Sequence, residues 1–209
     1  MAAEAEGMAT AAPLALFGGS FNPPHVAHLA VAEAAADAAG LDRVVWMPAA
    51  TPPHKLADPA LASAEDRLAM TRVATADNPR FEVSDLEIRR GEVSFTVDTL
   101  RALREAYPAA DLVLILGGDS LAQFSTWRAP DEILRLARLV VYRRPGFDEA
   151  AVAAEVLART RFVDAPLLDL SGTELRARLR AGRTVRYLVP DAVRDYIAAR
   201  GLYGVGSGP

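Results

Sequence analysis

The stretch Leu14-Ala15-Leu16-Phe17-Gly18-Gly19-Ser20-Phe21-Asn22-Pro23-Pro24-His25-Val26-Ala27-His28 decides how this chain is read. Its first four residues are an apolar run that stops at two glycines, the pattern of a buried strand entering a tight turn. A helical pattern then runs over Val26–Ala39 and closes at Gly40. The segment between strand and helix is where an open parallel sheet binds ligands.

The same theme recurs outward from there. Arg43–Met47 is a second apolar run, followed by a loop with Pro48, Pro52, Pro53 and Pro59. Helix is expected over Ala64–Ala76 and strand over Phe81–Ser84, then helix over Thr96–Tyr107. Leu112–Leu116 is five branched aliphatics in a row, a strand buried on both faces, and it too ends in glycines, Gly117-Gly118. Helix near Pro130–Leu136, strand over Leu139–Tyr142, helix around Glu149–Leu157 and strand around Phe162 follow, with helices at Thr173–Ala181 and Pro190–Ala199 closing the chain. Strands alternate with helices, so the expected fold is α/β, a doubly wound, Rossmann-like parallel sheet with C-terminal helices. The expected division is an N-terminal extension at 1–13, one domain at 14–203 and a tail at 204–209.

The 209 residues suffice for a sizeable core, and 51% hydrophobic with 24% charged residues excludes a disordered or fibrous chain. A net charge of -4 argues against a broad nucleic-acid or membrane surface, so any phosphate site must be a focused pocket. Zero cysteines exclude disulfides, thiolate metal sites and cysteine nucleophiles and fit a cytoplasmic location. No run of about 18 apolar residues is present to span a bilayer. The basic residues are 22 arginines and one lysine, Lys55, next to His54. All three histidines, His25, His28 and His54, lie in the first quarter of the chain.

The residues after the first strand suit an anion. Gly18 and Gly19 let phosphate approach the backbone, and Pro24 sits near the helix start. His25 and His28 are three apart, so on a helical first turn they share a face and aim two imidazoles at one phosphate cluster, aided by the helix N-terminus. No H-E-x-x-H pattern accompanies them, so a protein-held metal is not expected, and Ser20 lacks the G-x-S-x-G elbow of a nucleophile. Near the other end, Ser171-Gly172-Thr173-Glu174-Leu175-Arg176 reads as a capping box, with Ser171 as N-cap and Glu174 three residues on. Its first-turn amides, the Thr173 hydroxyl and Arg176 would receive a polyphosphate.

These two segments resemble the paired phosphate motifs of the nucleotidylyltransferase superfamily. Further matches are Pro52-Pro53-His54-Lys55, Ser94-Phe95-Thr96-Val97-Asp98-Thr99-Leu100, Leu116-Gly117-Gly118-Asp119-Ser120, Phe124 with Trp127, and Tyr187-Leu188-Val189-Pro190. In order and spacing, from about residue 14 to 203, they resemble the bacterial nicotinate mononucleotide adenylyltransferases. Departures are Ser20 for Thr, Asn22 for Asp, Ala27 for Gly and Gly172 for Ser.

The resemblance implies transfer of the adenylyl group of ATP to nicotinate mononucleotide, releasing pyrophosphate, with Mg2+ carried mainly by the ATP phosphates. It implies catalytic roles for His25, His28, Lys55 and Arg176. Gly18, Gly19, Ser20, Phe21, His28, Gly117, Asp119, Ser171, Thr173 and Arg176 would bind ATP. Asn22, His54, Lys55, Thr96, Trp127 and Arg128 would bind nicotinate mononucleotide, Trp127 by stacking on the pyridine and Thr96 and Arg128 through their amides on its carboxylate. Trp46 is expected in the core. Other acceptors, such as nicotinamide mononucleotide or phosphopantetheine, and a cytidylyl transfer stay open, as does a non-catalytic nucleotide sensor. A P-loop ATPase is disfavoured by the lack of G-K-[ST], and a hydride-transferring Rossmann enzyme by the lack of G-x-G-x-x-G after a strand. Whether the chain forms a homo-oligomer is open as well.

Overall fold

Apolar side chains that alternate along the strands sort the core into two layers. In the computed structural model, which describes residues 12–53, 58–143 and 147–205, the strands are β1 (Pro13–Gly19), β2 (Val44–Pro48), β3 (Phe81–Val83), β4 (Asp111–Gly117), β5 (Arg138–Tyr142) and β6 (Thr160–Val163). All pairings are parallel, in the order β3-β2-β1-β4-β5-β6, with Ala15 opposite Val44 and Leu14 opposite Leu112. Leu14, Leu16, Leu112, Leu114 and Leu116 point into one layer, and Ala15, Phe17, Val113 and Ile115 into the other. Both faces are covered, which is why these strands read as unbroken hydrophobic runs.

The helices are α1 (Val26–Ala39), α2 (Ala64–Thr75), α3 (Leu86–Arg90), α4 (Thr96–Ala106), α5 (Gly118–Ala122), α6 (Pro130–Leu136), α7 (Ala154–Leu157), α8 (Gly172–Arg180) and α9 (Asp191–Ala199). Helix α1 presents Val31, Ala32, Ala35 and Ala36, whose small side chains seat the helix on the sheet. On the opposite face lie Val97, Leu100 and Leu103 of α4 and Ile133 of α6. A third cluster joins α2, α8 and α9 through Met70, Ala74, Leu175, Leu179, Val193 and Ile197. The expected doubly wound sheet with C-terminal helices is the observed fold, and Trp46 is fully buried as expected.

Differences from the sequence reading are local. Helix α3 was not expected, since five residues are too few to show a helical period. The single helix expected at Glu149–Leu157 is a 3₁₀ turn at Glu149–Ala151 and then α7, because Val152 is extended and drives its side chain into the core. Helix α8 starts at Gly172 rather than Thr173, and Pro190 caps α9 instead of opening it.

The strand order reverses between β1 and β4. The carboxyl ends of these two neighbours diverge into different crossovers, and the crevice left there is where ligands bind in such sheets.

Candidate active site

A cleft of about 630 Å³ opens over this switch point. His25, Ala27, His28 and Val31 line it from the start of α1, Asp119 from the start of α5 just past β4, Tyr142 from the end of β5, and Ser171 and Gly172 from the start of α8. The segment Pro166–Leu170 supplies the remaining wall, with Leu167 and Leu168 presenting exposed apolar surface.

His25 is the extended N-cap of α1 and His28 its third residue, and their ring centroids stand 3.7 Å apart at 33°. The expected shared face is therefore formed. His25 N donates to His28 Nδ1 at 3.2 Å. With Nδ1 accepting there, Nε2 is the ring nitrogen that can donate. Its other flank packs on Phe21 at 5.2 Å between centroids.

Opposite the histidines, Ser171 Oγ accepts from Glu174 N at 3.2 Å, which forms the Ser171 half of the expected capping box. The first amides of α8, whose geometry leaves them without acceptors inside the helix, thus border the cleft. Imidazoles from the start of α1 and the N-terminus of α8 line the same cleft, and both kinds of group can receive anionic oxygens.

Several expected ligands have other duties. Phe21 is only 2% exposed, its ring lodged against Phe17 and Trp46, and a Cβ on Gly19 would come within 2.9 Å of that ring. Gly19 is needed for the close approach, and only the Phe21 backbone can face a ligand. Asn22 is likewise buried. Its Nδ2 donates to Ala60 O at 2.9 Å, and its Oδ1 accepts from Ala62 N at 3.1 Å and from the Tyr203 hydroxyl at 2.7 Å. Asn22 therefore braces the loop at 60–62. The departure from Asp has a reason here, since a carboxylate could not donate to Ala60 O. Burial pushes the Tyr203 pKa up, which keeps this hydroxyl a donor.

Arg176 does not line the cleft. It is 5% exposed, and its guanidinium donates to Asn22 O at 2.8 Å and to Thr173 Oγ1 at 3.2 Å. Gly172 permits this, because a Cβ there would sit 2.8 Å from the same Asn22 carbonyl oxygen.

Thr96, Trp127 and Arg128 gather in a second cluster at the same edge of the sheet. Thr51 bridges to Val93, and Ala50 N donates to Ser94 Oγ at 2.9 Å, which brings the start of α4 beside the end of β2. Thr96 supplies a first-turn amide there. The Arg128 guanidinium covers the Phe95 ring at 4.8 Å and lies 3.5 Å from Asp98, while Trp127 is half-buried against Phe124. Gly18 and Ser20 sit at the end of β1, and Gly117 closes β4. His54 and Lys55 lie outside the described residues.

Tyr142 and the Pro166–Leu170 wall escaped the sequence reading. Tyr142 could have been found from topology, as the end of the strand next to β4. The loop carries no motif. Among the described residues, no three His, Asp or Glu side chains converge to cage a metal, and no helix is long and apolar enough to cross a membrane.

Residues 16–178 match the family model described as cytidylyltransferase-like. The chain is 53% identical over 188 residues to a Salinibacter ruber protein, covering 90% of this chain and 96% of that one, and 46% identical over 193 residues to one from Herpetosiphon aurantiacus, with the same coverage. Both bear the name "Probable nicotinate-nucleotide adenylyltransferase". The fold is also that of the Plasmodium falciparum nicotinic acid mononucleotide adenylyltransferase solved with NaAD, at TM-score 0.78 and 18% identity, covering 94% of this chain and all of that one.

Proposed function

The chain belongs to the cytidylyltransferase-like family and, within it, to the nicotinate-nucleotide adenylyltransferases, and from that membership we propose how its own residues divide the work. The enzyme transfers the adenylyl group of ATP to nicotinate mononucleotide, giving nicotinate adenine dinucleotide and pyrophosphate in NAD biosynthesis. An oxygen of the mononucleotide 5′-phosphate forms a bond to the α-phosphorus of ATP as the bond from that phosphorus to the bridging oxygen of pyrophosphate breaks. No protein nucleophile is required, so positioning and charge stabilisation carry the catalysis.

The observation that carries this reading is the stacked His25–His28 pair facing the start of α8 across the switch-point cleft. His28 Nε2–H and the His25 ring donate to phosphate oxygens as negative charge moves toward the leaving group. The α8 amides and the Thr173 hydroxyl take the β and γ phosphates. Arg176 joins them by exchanging Asn22 O and Thr173 Oγ1 for phosphate oxygens, a trade of neutral acceptors for charged ones. The apolar face of Leu167 and Leu168 suits the adenine, and Asp119 and Gly117 border its ribose. His54 and Lys55 neutralise the two approaching phosphates.

Trp127 stacks on the pyridine ring. The Thr96 and Arg128 amides receive the nicotinate carboxylate, which accepts at both oxygens where a carboxamide accepts at one. Among the described residues the carboxylates lining the cleft are Asp119 and Asp169, oxygen donors that fit a Mg2+ brought in on the ATP phosphates. Bound with ATP, Mg2+ supplies neutralisation of the phosphate charge.

The test is pyrophosphate release with ATP and Mg2+, comparing nicotinate with nicotinamide mononucleotide at equal concentration. A strong preference for the acid is expected. Equal use would remove the carboxylate pocket, and no release with either would remove the reaction.

A further inference from the structure

Arg67 of α2 is 1% exposed, and among the described residues no carboxylate lies within ion-pair distance of it. Its guanidinium is satisfied by main-chain carbonyls instead. Nη1 donates to Ser20 O at 3.0 Å and Ala49 O at 2.6 Å, Nη2 to Ala50 O at 2.8 Å, and Nε to Ala62 O at 3.0 Å. Those oxygens belong to three separate stretches: the turn after β1, the end of β2 and the segment leading into α2.

A buried cation with no carboxylate in direct contact costs desolvation, and burial lowers its pKa against the pull of the Glu65 and Glu87 charges. An apolar side chain of similar volume would avoid that cost but would take the donor away from those main-chain oxygens. What the guanidinium adds is a rigid planar fork that fixes several acceptors at once. The Ser20 carbonyl is the point where β1 turns into the loop bearing His25 and His28, and Arg176 grips the same loop two residues on, at Asn22 O.

We propose that Arg67 is a positioning residue for adenylyl transfer, its guanidinium locking the Ser20 turn to the end of β2 so that the histidine pair is held at the reacting phosphates. This rests on the adenylyl-transfer reading above. An error of about 1 Å in placing catalytic donors costs on the order of 100-fold in rate. The role therefore appears in turnover before it appears in substrate binding.

The deciding variant is Arg67→Lys, which keeps the charge and stem but not the fork, with Arg67→Met alongside it. Arg67→Lys should fold, as judged by circular dichroism, and lose on the order of 100-fold in kcat per folded molecule with KM for either substrate within about threefold. Hydrogen exchange read by mass spectrometry should be at least about tenfold faster in a peptide covering 18–28 and unchanged in β4 and β5. Turnover within about threefold of the parent, or unchanged exchange in 18–28, overturns the proposal. Failure of Arg67→Met to fold leaves the decision with Arg67→Lys. A parent that releases no pyrophosphate fails the adenylyl-transfer reading and the positioning role in it, while faster exchange at 18–28 would still report the lock.

Discussion

The Arg176 guanidinium donates to the Asn22 carbonyl at 2.8 Å, across 154 residues of chain, at the point where Gly172 has no side chain. The contact joins the start of α8 to the loop that carries the histidines.

Gly172→Ser should loosen that junction. The added Cβ would meet Asn22 O at 2.8 Å and Arg176 Nη1 at 3.3 Å, and the first of these is backbone that cannot rotate away. Overpacking of this kind costs about 1–3 kcal/mol. Thermal unfolding should record a lower Tm and steady-state kinetics a higher KM for ATP. An unchanged Tm would show that α8 does not approach Asn22 this closely.

His28→Ala removes a donor from the cleft while leaving the fold intact. Loss of one preorganised donor to a developing oxyanion costs about 100- to 1000-fold in kcat. The checking measurement is pyrophosphate release, with circular dichroism to confirm folding. Near-parental turnover in a folded variant would take the histidine pair out of the mechanism.

Trp127→Ala should act on one substrate only. Stacking of an aromatic side chain on a base is worth about 1–3 kcal/mol, so KM for nicotinate mononucleotide should rise by about 10-fold or more. The KM for ATP should stay put, since Trp127 stands outside the cleft lined by His28 and Ser171. An equal rise in both would mean that Trp127 supports the edge as a whole.

Glu87 gives a dependence of stability on pH. Burial raises its pKa, opposed by hydrogen bonds from Ser94 and Thr99 and by the charges of Arg90 and Arg67. For a raised carboxyl pKa the stabilising contribution is complete below the unfolded value, about 4.5, and is lost as pH climbs through the folded value. Relative to Glu87→Gln, the parent should therefore weaken between about pH 4.5 and 7.5, by about 1.4 kcal/mol for each unit separating its folded and unfolded pKa values. Urea unfolding of both proteins at the two pH values reads the difference. A constant gap would show that Glu87 titrates alike folded and unfolded.

The sequence by itself determined the sheet and the place of the histidine pair at its switch point. Runs such as Leu112–Leu116, the glycines that end β1 and β4, and the three-residue spacing of His25 and His28 are local signals, fixed by strand alternation, turn conformation and helical period within a few neighbours. Only the tertiary structure decided what faces the ligand and what holds the loop. Phe21 turned inward under Gly19, Asn22 became a brace for Ala60, Ala62 and Tyr203, and Arg176 closed on Asn22 rather than on the open cleft. Arg67 reached the Ser20 carbonyl 47 residues away, and Tyr203 reached Asn22 across 181. A side chain's partner at such separations depends on where the folded chain returns, and buried donors and acceptors must then pair with whatever polar group that return places beside them.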